Sequence, residues 1–227
     1  MIRNLSIVTI GASLLTVSAS ADMTGTAYEV GRAWTGEDFG GVAVSGYVVD
    51  IYLEFDSTSD ILLNVYNFND ANLGATYFQS ATAIGWSPNE QGGIFTTEAS
   101  QSFDSFIAIG GVTGSDGNGN PYQMAGNGVN PDPNFPDNTA DGPGANAGWF
   151  NSNPNNPIGA AGPGGVLIGR FSLEGSTGFS MAGSTGWGTY NEGVGTPGSQ
   201  MGFTVVPAPG ALALLGVVGM ASRRRRK

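Results

Sequence analysis

The chain of 227 residues contains neither cysteine nor histidine. Without cysteine there are no disulfide bonds and no thiolate zinc sites, so stability has to come from a packed core. Without histidine, Ser-His-Asp and Cys-His catalysis are excluded. Paired carboxylates, as used by glycoside hydrolases, are the enzymatic chemistry that remains. We therefore expect a protein without catalytic residues, with a carboxylate-dependent glycoside hydrolase as the alternative.

Basic residues are nearly absent between the two ends of the chain. Residues 22–208, called the body below, contain Arg32 and Arg170, no lysine and all 18 acidic residues, which is a formal charge of −16. Schiff-base lysine chemistry is thereby excluded from the body. Nucleic acids and anionic lipids are unfavourable partners, because binding them depends on lysine and arginine. Metal cations and neutral sugars remain compatible with this charge, although acidity for solubility alone explains it as well.

The first 21 residues have the pattern of a signal peptide. Arg3 precedes an apolar run over residues 5–17, and the small residues Ala19 and Ala21 follow this run. This order is typical of a secretory signal helix that signal peptidase removes, here before Asp22. We therefore predict that the protein is exported.

The C-terminal segment, residues 205–227, predicts a membrane anchor. Residues 205–221 carry no charge, but two prolines and three glycines interrupt them. A membrane-spanning helix needs about 20 apolar residues, and about 17 at the least, so this is a marginal transmembrane helix. A terminal basic cluster follows, formed by Arg223, Arg224, Arg225, Arg226 and Lys227. Basic residues beside a membrane segment tend to stay cytoplasmic, so we expect the body to lie outside.

This order of proline motif, short apolar helix and basic cluster resembles the PEP-CTERM sorting signal of exported bacterial proteins. The motif reads Val206, Pro207, Ala208 and Pro209, a VPAP variant without the family's glutamate. The resemblance implies a transient inner-membrane anchor that an exosortase cuts, and then residence at the cell surface or in an extracellular polysaccharide (biofilm) matrix. An anchor that is never cut is the alternative. The stretches VVDIYLEFDS and DILLNVYNF are also similar to members from planctomycete-like bacteria, which implies no activity.

The residues between the two ends predict one all-β domain over 22–204. In the segment 46–56, apolar residues at every second position alternate with a mostly polar face, which is the period of a half-buried strand. Further strand candidates, rich in β-branched and aromatic residues, lie at 60–68, 75–81, 102–111, 165–175 and 200–206. Strands separated by turn clusters favour an antiparallel β-sandwich, of which a jelly roll is one form. The repeated GSTGF and GSTGW, at 175–179 and 183–187, favour two similar turns in a hairpin.

Residues 112–165 predict a long loop or insertion, because 12 Gly, 8 Pro, 11 Asn and 4 Asp occur among these 54 residues. Loops of this length are usually functional or disordered. Oxygen-bearing side chains at nearby positions suggest calcium binding, and the candidate ligands are Asp116, Asn118, Asn120, Asp132, Asn134 and Asp137. The first three depart from the EF-hand pattern, and local hydrogen bonds in turns are the alternative explanation.

Trp149 and Phe150 lie in the middle of this polar segment. Exposed aromatic rings among asparagine and aspartate can stack on sugar rings and bind their hydroxyl groups, so we predict a polysaccharide-binding surface here as the alternative function. The competing interpretation is that both rings anchor the segment to the core by burying aromatic area.

The hydrolase alternative depends on carboxylates that lie close to one another. Glu54 and Asp56 fall on one face of a predicted strand, and Glu37 and Asp38 are neighbours. Nothing in the sequence brings an opposing carboxylate to glycosidase spacing. Outward charges on a half-exposed strand explain these residues better.

Overall fold

Nine β-strands form the regular secondary structure of the described chain. The structure, a computed structural model, describes residues 23–38, 41–79, 86, 103–110, 129–131, 142–151, 159–162, 164–193 and 198–208. The strands are β1 (Met23–Asp38), β2 (Val42–Phe55), β3 (Ile61–Asn69), β4 (Phe106–Ile107), β5 (Val129–Pro131), β6 (Ala147–Asn151), β7 (Val166–Glu174), β8 (Thr185–Asn191) and β9 (Gly198–Pro207). These segments contain no α-helix, so the predicted all-β class is confirmed. None of them offers a helix with the length and hydropathy that a membrane crossing requires.

The strands form one sheet in the order β4-β7-β2-β1-β9-β8-β3-β6-β5. Strands β1 and β9 run parallel, with Ala27 opposite Val205 and Glu29 opposite Pro207, whereas the other described pairs are antiparallel. The predicted antiparallel sandwich is therefore corrected in two respects. The strands form one continuous sheet, and the first and last strands of the chain, β1 and β9, pair in parallel. A parallel pair needs a crossover connection. Here the crossover is the rest of the domain, which no local sequence pattern indicates.

The sheet curls so that its two ends face each other. Phe68 on β3 stacks on Phe171 on β7 with ring centroids 6.0 Å apart, although four strands separate β3 from β7 in the sheet. Trp149 on β6 packs edge-on against Phe68, and its indole nitrogen donates a 2.8 Å hydrogen bond to the carbonyl of Ala108, which follows β4. The core lies inside this curl, where burial of apolar and aromatic side chains stabilises the fold.

Strand β2 confirms the predicted period, but its second face is covered as well. Val49, Ile51 and Leu53 are fully buried in the main core, as predicted. Val48 and Asp50, on the face predicted to be mostly polar, are also buried. A small second cluster covers that face, formed by Val44, Val48 and Phe103 with Trp34 and Phe78 packed against them. The covering residues come from segments distant in sequence, so the local pattern of β2 does not reveal them.

Three other predicted strands, at 60–68, 165–175 and 200–206, correspond to β3, β7 and β9. Of the candidate at 102–111, only β4 is a strand, and residues 75–79 belong to no ladder. Strands β1 and β8 were not predicted, since glycines, and in β1 also charged residues, interrupt their alternation.

Two details of the predicted loops need correction. Strands β5 and β6 lie within 112–165, so the predicted loop contributes two strands to one end of the sheet. The GSTG repeats lie around the connection from β7 to β8, and these two strands are not neighbours in the sheet. The predicted hairpin is therefore wrong.

The predicted boundary between domain and anchor also moves. Strand β9 continues to Pro207, and Val205 is buried in the core, so the first residues of the predicted anchor segment belong to the sheet. Val206 and Pro207 of the predicted sorting motif pair with β1, and Ala208 follows the strand. Pro209, the terminal basic cluster and the predicted signal peptide with Ala19 and Ala21 lie outside the described residues.

Candidate functional site

The two aromatic residues predicted to bind sugar point to opposite faces of β6. Trp149 is 1% exposed and is held in the core by Phe68 and by its hydrogen bond to Ala108. An indole with both faces packed cannot stack on a ligand, so the glycan-binding prediction for Trp149 is wrong, and the anchoring alternative describes it. Phe150 is 40% exposed on the outer face of the sheet.

A second tryptophan, Trp187 on β8, is exposed where Trp149 is not. Its side chain is 46% exposed, because the alternation of β8 directs Gly186 and Gly188 inward. A Cβ at Gly186 would lie 2.6 Å from the ring of Phe203, so the core leaves no room for a side chain there. The indole of Trp187 lies beside Gly202 of β9, where an added Cβ would be 3.4 Å from the ring. Gly202 therefore leaves the surface beside the indole without a side chain.

Tyr66 on β3 lies beside this indole. The two rings are offset, with centroids 6.3 Å apart and planes 28° from parallel, and the indole stays 46% exposed. The Tyr66 hydroxyl donates a 2.8 Å hydrogen bond to Oε1 of Gln200 on β9, which lies beyond β8. Tyr66 therefore spans β8 and is fixed at both ends. The result is an ordered aromatic platform, Trp187 with Tyr66, on the outer face of β3, β8 and β9.

An open groove of about 460 Å³ lies beside this platform. Its walls are aromatic, amide, hydroxyl and glycine residues, and they are Gly25, Asn67, Asn69, Asn146, Thr185, Gly186, Trp187, Gly202, Phe203 and Thr204. None of these residues carries a charge. A groove with one apolar wall and several neutral donors and acceptors suits a ligand rich in hydroxyl groups.

Two asparagines of the groove adopt left-handed backbone conformations, with φ of 49° at Asn67 and 61° at Asn146. Asparagine tolerates this region better than most residues. The backbone N–H of Asn146 donates to Oδ1 of Asn69 at 3.3 Å, which joins the turn before β6 to the end of β3. The amide side of the groove is therefore shaped by an irregularity within β3 at Asn67 and by the turn before β6 at Asn146.

Both arginines of the body are bound to one carboxylate, that of Asp50. Nε and NH2 of Arg170 approach the two oxygens of Asp50 at 2.6 and 3.0 Å, and NH1 of Arg32 lies 2.7 Å from Oδ2. The ring of Phe106 covers the Arg170 guanidinium at 5.2 Å from its centroid. Asp50 and Arg170 are buried, so this cluster is built into the fold, whereas Arg32 is partly exposed.

Glu54 and Asp56, the first carboxylate pair of the hydrolase alternative, line a second cavity of about 310 Å³. Tyr28 lies in the same cavity, stacks on Tyr52 with centroids 5.4 Å apart and donates a 2.5 Å hydrogen bond to the carbonyl of Gly164. Burial, and then the charge of Glu54, raise the pKa of Tyr28, so this hydroxyl stays protonated at neutral pH.

The remaining predicted site residues are a carboxylate pair at the end of β1 and the six candidate calcium ligands. Glu37 is exposed near the end of β1, which Asp38 terminates. All six candidate calcium ligands lie outside the described residues. Within the described part, no three acidic side chains converge as a metal site.

A buried carboxyl group, that of Asp70, lies just after β3. It accepts hydrogen bonds from the hydroxyl of Tyr77 and from the backbone N–H of Asn72, the latter at 2.7 Å. Burial raises the pKa of Asp70, and the hydrogen bonds from Tyr77 and Asn72 oppose this rise. Burial and the neighbouring Asp70 raise the pKa of Tyr77. The pair ties the turn after β3 to the core.

Comparison with known protein families, curated proteins and solved structures gives no match. Function is therefore inferred from the chemistry of the surface itself. The sequence does contain a signal for the platform, since Gly186 and Gly188 alternate with Trp187, the pattern of a strand that is closely packed on one face and aromatic on the other. Tyr66 carries no comparable signal, because its partner Gln200 is 134 positions away.

Proposed function

We propose that this chain is an exported, non-enzymatic protein of the cell surface or extracellular matrix, and that its body binds neutral polysaccharide. The observation that carries the binding proposal is the aromatic platform of Trp187 and Tyr66 beside an uncharged groove. A pyranose ring presents C–H groups on its faces and hydroxyl groups at its edge. The indole matches the faces, and the asparagine and threonine side chains match the edge.

Charge supports a neutral ligand over an acidic one. The body has a formal charge of −16, and its two arginines are already bound to Asp50. A polymer of uronic acids or sulfated sugars would meet like charges and no unpaired cation of the body, which opposes association. A neutral polymer is not repelled by the negative charge of the body.

The two ends of the chain support export and anchoring. A signal peptide precedes the body, and the sorting-like tail begins within β9, a central strand of the sheet. Because the tail begins within the sheet, no linker separates it from the body, and the body is held close to the membrane until an exosortase cuts the tail. Intact-mass analysis of the protein from its host tests this part. Loss of the terminal basic cluster supports processing, and its retention would leave an ordinary uncut anchor.

Binding is tested by affinity electrophoresis of the full chain in gels that contain hydroxyethyl cellulose, glucomannan, laminarin or alginate. We expect retardation by at least one neutral polymer and none by the acidic alginate. Trp187→Ala should weaken binding at least about tenfold, which corresponds to about 1.4 kcal/mol. The matched control is Leu73→Ala, at an apolar residue that is 65% exposed outside the platform. Equal binding by wild type and Trp187→Ala would contradict the assignment.

A further inference from the structure

The exposed ring of Phe150 lies on the same outer face as the platform, and the strand registers relate the two. Asn64 on β3 is opposite Thr189 on β8 and also opposite Phe150 on β6. Two residues further along β3, Tyr66 is opposite Trp187. The register is regular between these positions. Phe150 and Trp187 are therefore two strand spacings apart, with β3 between their strands, and are offset by two residues along the strands.

The distance between the positions of Phe150 and Trp187 follows from standard sheet geometry. Neighbouring strands lie about 4.8 Å apart and the rise is about 3.3 Å per residue, so the two positions are about 10 Å apart across the strands, about 7 Å along them and about 12 Å in total. That separation exceeds the width of one sugar ring. Two linked sugar units or more are needed to contact both aromatic side chains.

The surface between the two aromatic residues is polar and uncharged. Asn64 lies on β3, between the strands of Trp187 and Phe150, and Thr189 on β8 and Gln200 on β9 continue its row across the sheet. Oδ1 of Asn64 accepts a 3.1 Å hydrogen bond from the backbone N–H of Thr189, which fixes the orientation of its amide. A glycan lying diagonally over the sheet would therefore meet an aromatic ring, an amide and hydroxyl row, and a second aromatic ring.

We infer that this face binds an internal segment of an extended, neutral polysaccharide chain through two aromatic subsites, Trp187 with Tyr66 and Phe150. The inference rests on the proposed function. The groove beside Trp187 is open, and Phe150 lies on the opposite side of Trp187 from it, so a long chain can extend from the groove across the platform to Phe150 without a free end. Two weak subsites linked by one ligand act together, because binding at the first raises the effective concentration at the second.

The length of the ligand tests this inference. The full chain is titrated by calorimetry with oligosaccharides of two to six sugar units from whichever neutral polymer retards it, namely cello-, manno- or laminari-oligosaccharides. We expect affinity to rise at least about tenfold from the disaccharide to the hexasaccharide. Phe150→Ala should remove most of this rise and leave disaccharide binding unchanged. Trp187→Ala should weaken binding of every length.

The outcomes separate the inference from the proposal on which it rests. Affinity that is independent of length, or a Phe150→Ala variant with the wild-type length dependence, overturns the two-subsite inference while glycan binding stands. Binding to none of the neutral polymers overturns both. Sedimentation velocity of wild type and Phe150→Ala adds a further check, since dimerisation that the substitution abolishes would make Phe150 a contact between copies and overturn its role as a subsite. Because both substituted rings are partly exposed, each variant should lose less than about 1 kcal/mol of unfolding free energy.

Discussion

Arg170 and Asp50 face each other across β7 and β2 and form a buried ion pair through two nitrogens and both carboxylate oxygens. Arg32 adds a third contact to the same carboxylate from a partly exposed position. A buried charge that loses its partner is costly, whereas an exposed ion pair contributes little. The two arginines should therefore differ sharply in their contribution to stability.

We predict that Arg170→Met lowers the free energy of unfolding by about 3–5 kcal/mol, because it leaves Asp50 buried with one remaining cation. Arg32→Met is the matched control and should cost at most about 1 kcal/mol. Urea unfolding of both variants measures the difference. Similar losses would show that the two guanidinium groups share the carboxylate equally.

Trp149 and Trp187 should also differ in what they contribute to stability. Trp149→Ala removes a fully packed core side chain and should cost about 3–5 kcal/mol. Trp187→Ala removes a half-exposed ring and should cost less than about 1 kcal/mol. Chemical unfolding followed by tryptophan fluorescence and circular dichroism checks both. A large loss for Trp187→Ala would make it a structural residue rather than a binding platform.

Local patterns were sufficient for part of this fold. The inward residues Val49, Ile51 and Leu53 were predicted because a half-buried strand shows its period within a few residues. The burial of Asp50 was not, because Arg170, which binds its carboxylate, and Phe106, which covers Arg170, come from segments distant in sequence. A polar residue on a strand looks solvent-exposed until the covering segment is known.

The same limit explains why the sugar-binding prediction fell on a buried tryptophan. Trp149 and Trp187 both stand next to glycine in polar, glycine-rich surroundings. Which one faces the core depends on the register of β6 against β3 and of β8 against β9. Register is set by pairing between distant segments, and a shift of one residue exchanges the two faces of a strand.

Stability should respond to pH through Asp70. Its pKa in the folded protein is raised above the ordinary value of 3.8, so the folded state holds this proton more tightly than the unfolded state. The resulting contribution to stability is fully present below the unfolded pKa and is lost as pH rises through the folded pKa. Asp70→Asn removes this dependence. The stability of the variant relative to wild type should therefore increase with pH across that window.

Urea unfolding of wild type and Asp70→Asn at a series of pH values from 3 to 8 measures this difference, and a difference that does not change with pH would contradict it. Tyr77→Phe serves as the second variant. The Tyr77 hydrogen bond lowers the pKa of Asp70 against the effect of burial. Its removal should therefore extend the pH-dependent window upward.

The last prediction concerns cations and follows from the formal charge of −16 on the body. Repulsion among 18 carboxylates opposes the folded state and is screened over about 8 Å at physiological ionic strength. Higher salt and divalent cations should therefore raise the unfolding midpoint, and calcium and magnesium should act equally if screening is the only cause.

A true calcium site in the loops that contain Asp116 or Asp132 would add about 2.7 kcal/mol at 100 times its dissociation constant, and magnesium would not reproduce this gain. Melting curves at low and high ionic strength, and at constant ionic strength with calcium, magnesium or a chelator, separate these cases. A shift produced by calcium alone identifies a site, a midpoint that rises with ionic strength for both cations alike leaves the acidic surface as the cause, and no response to either change would refute both.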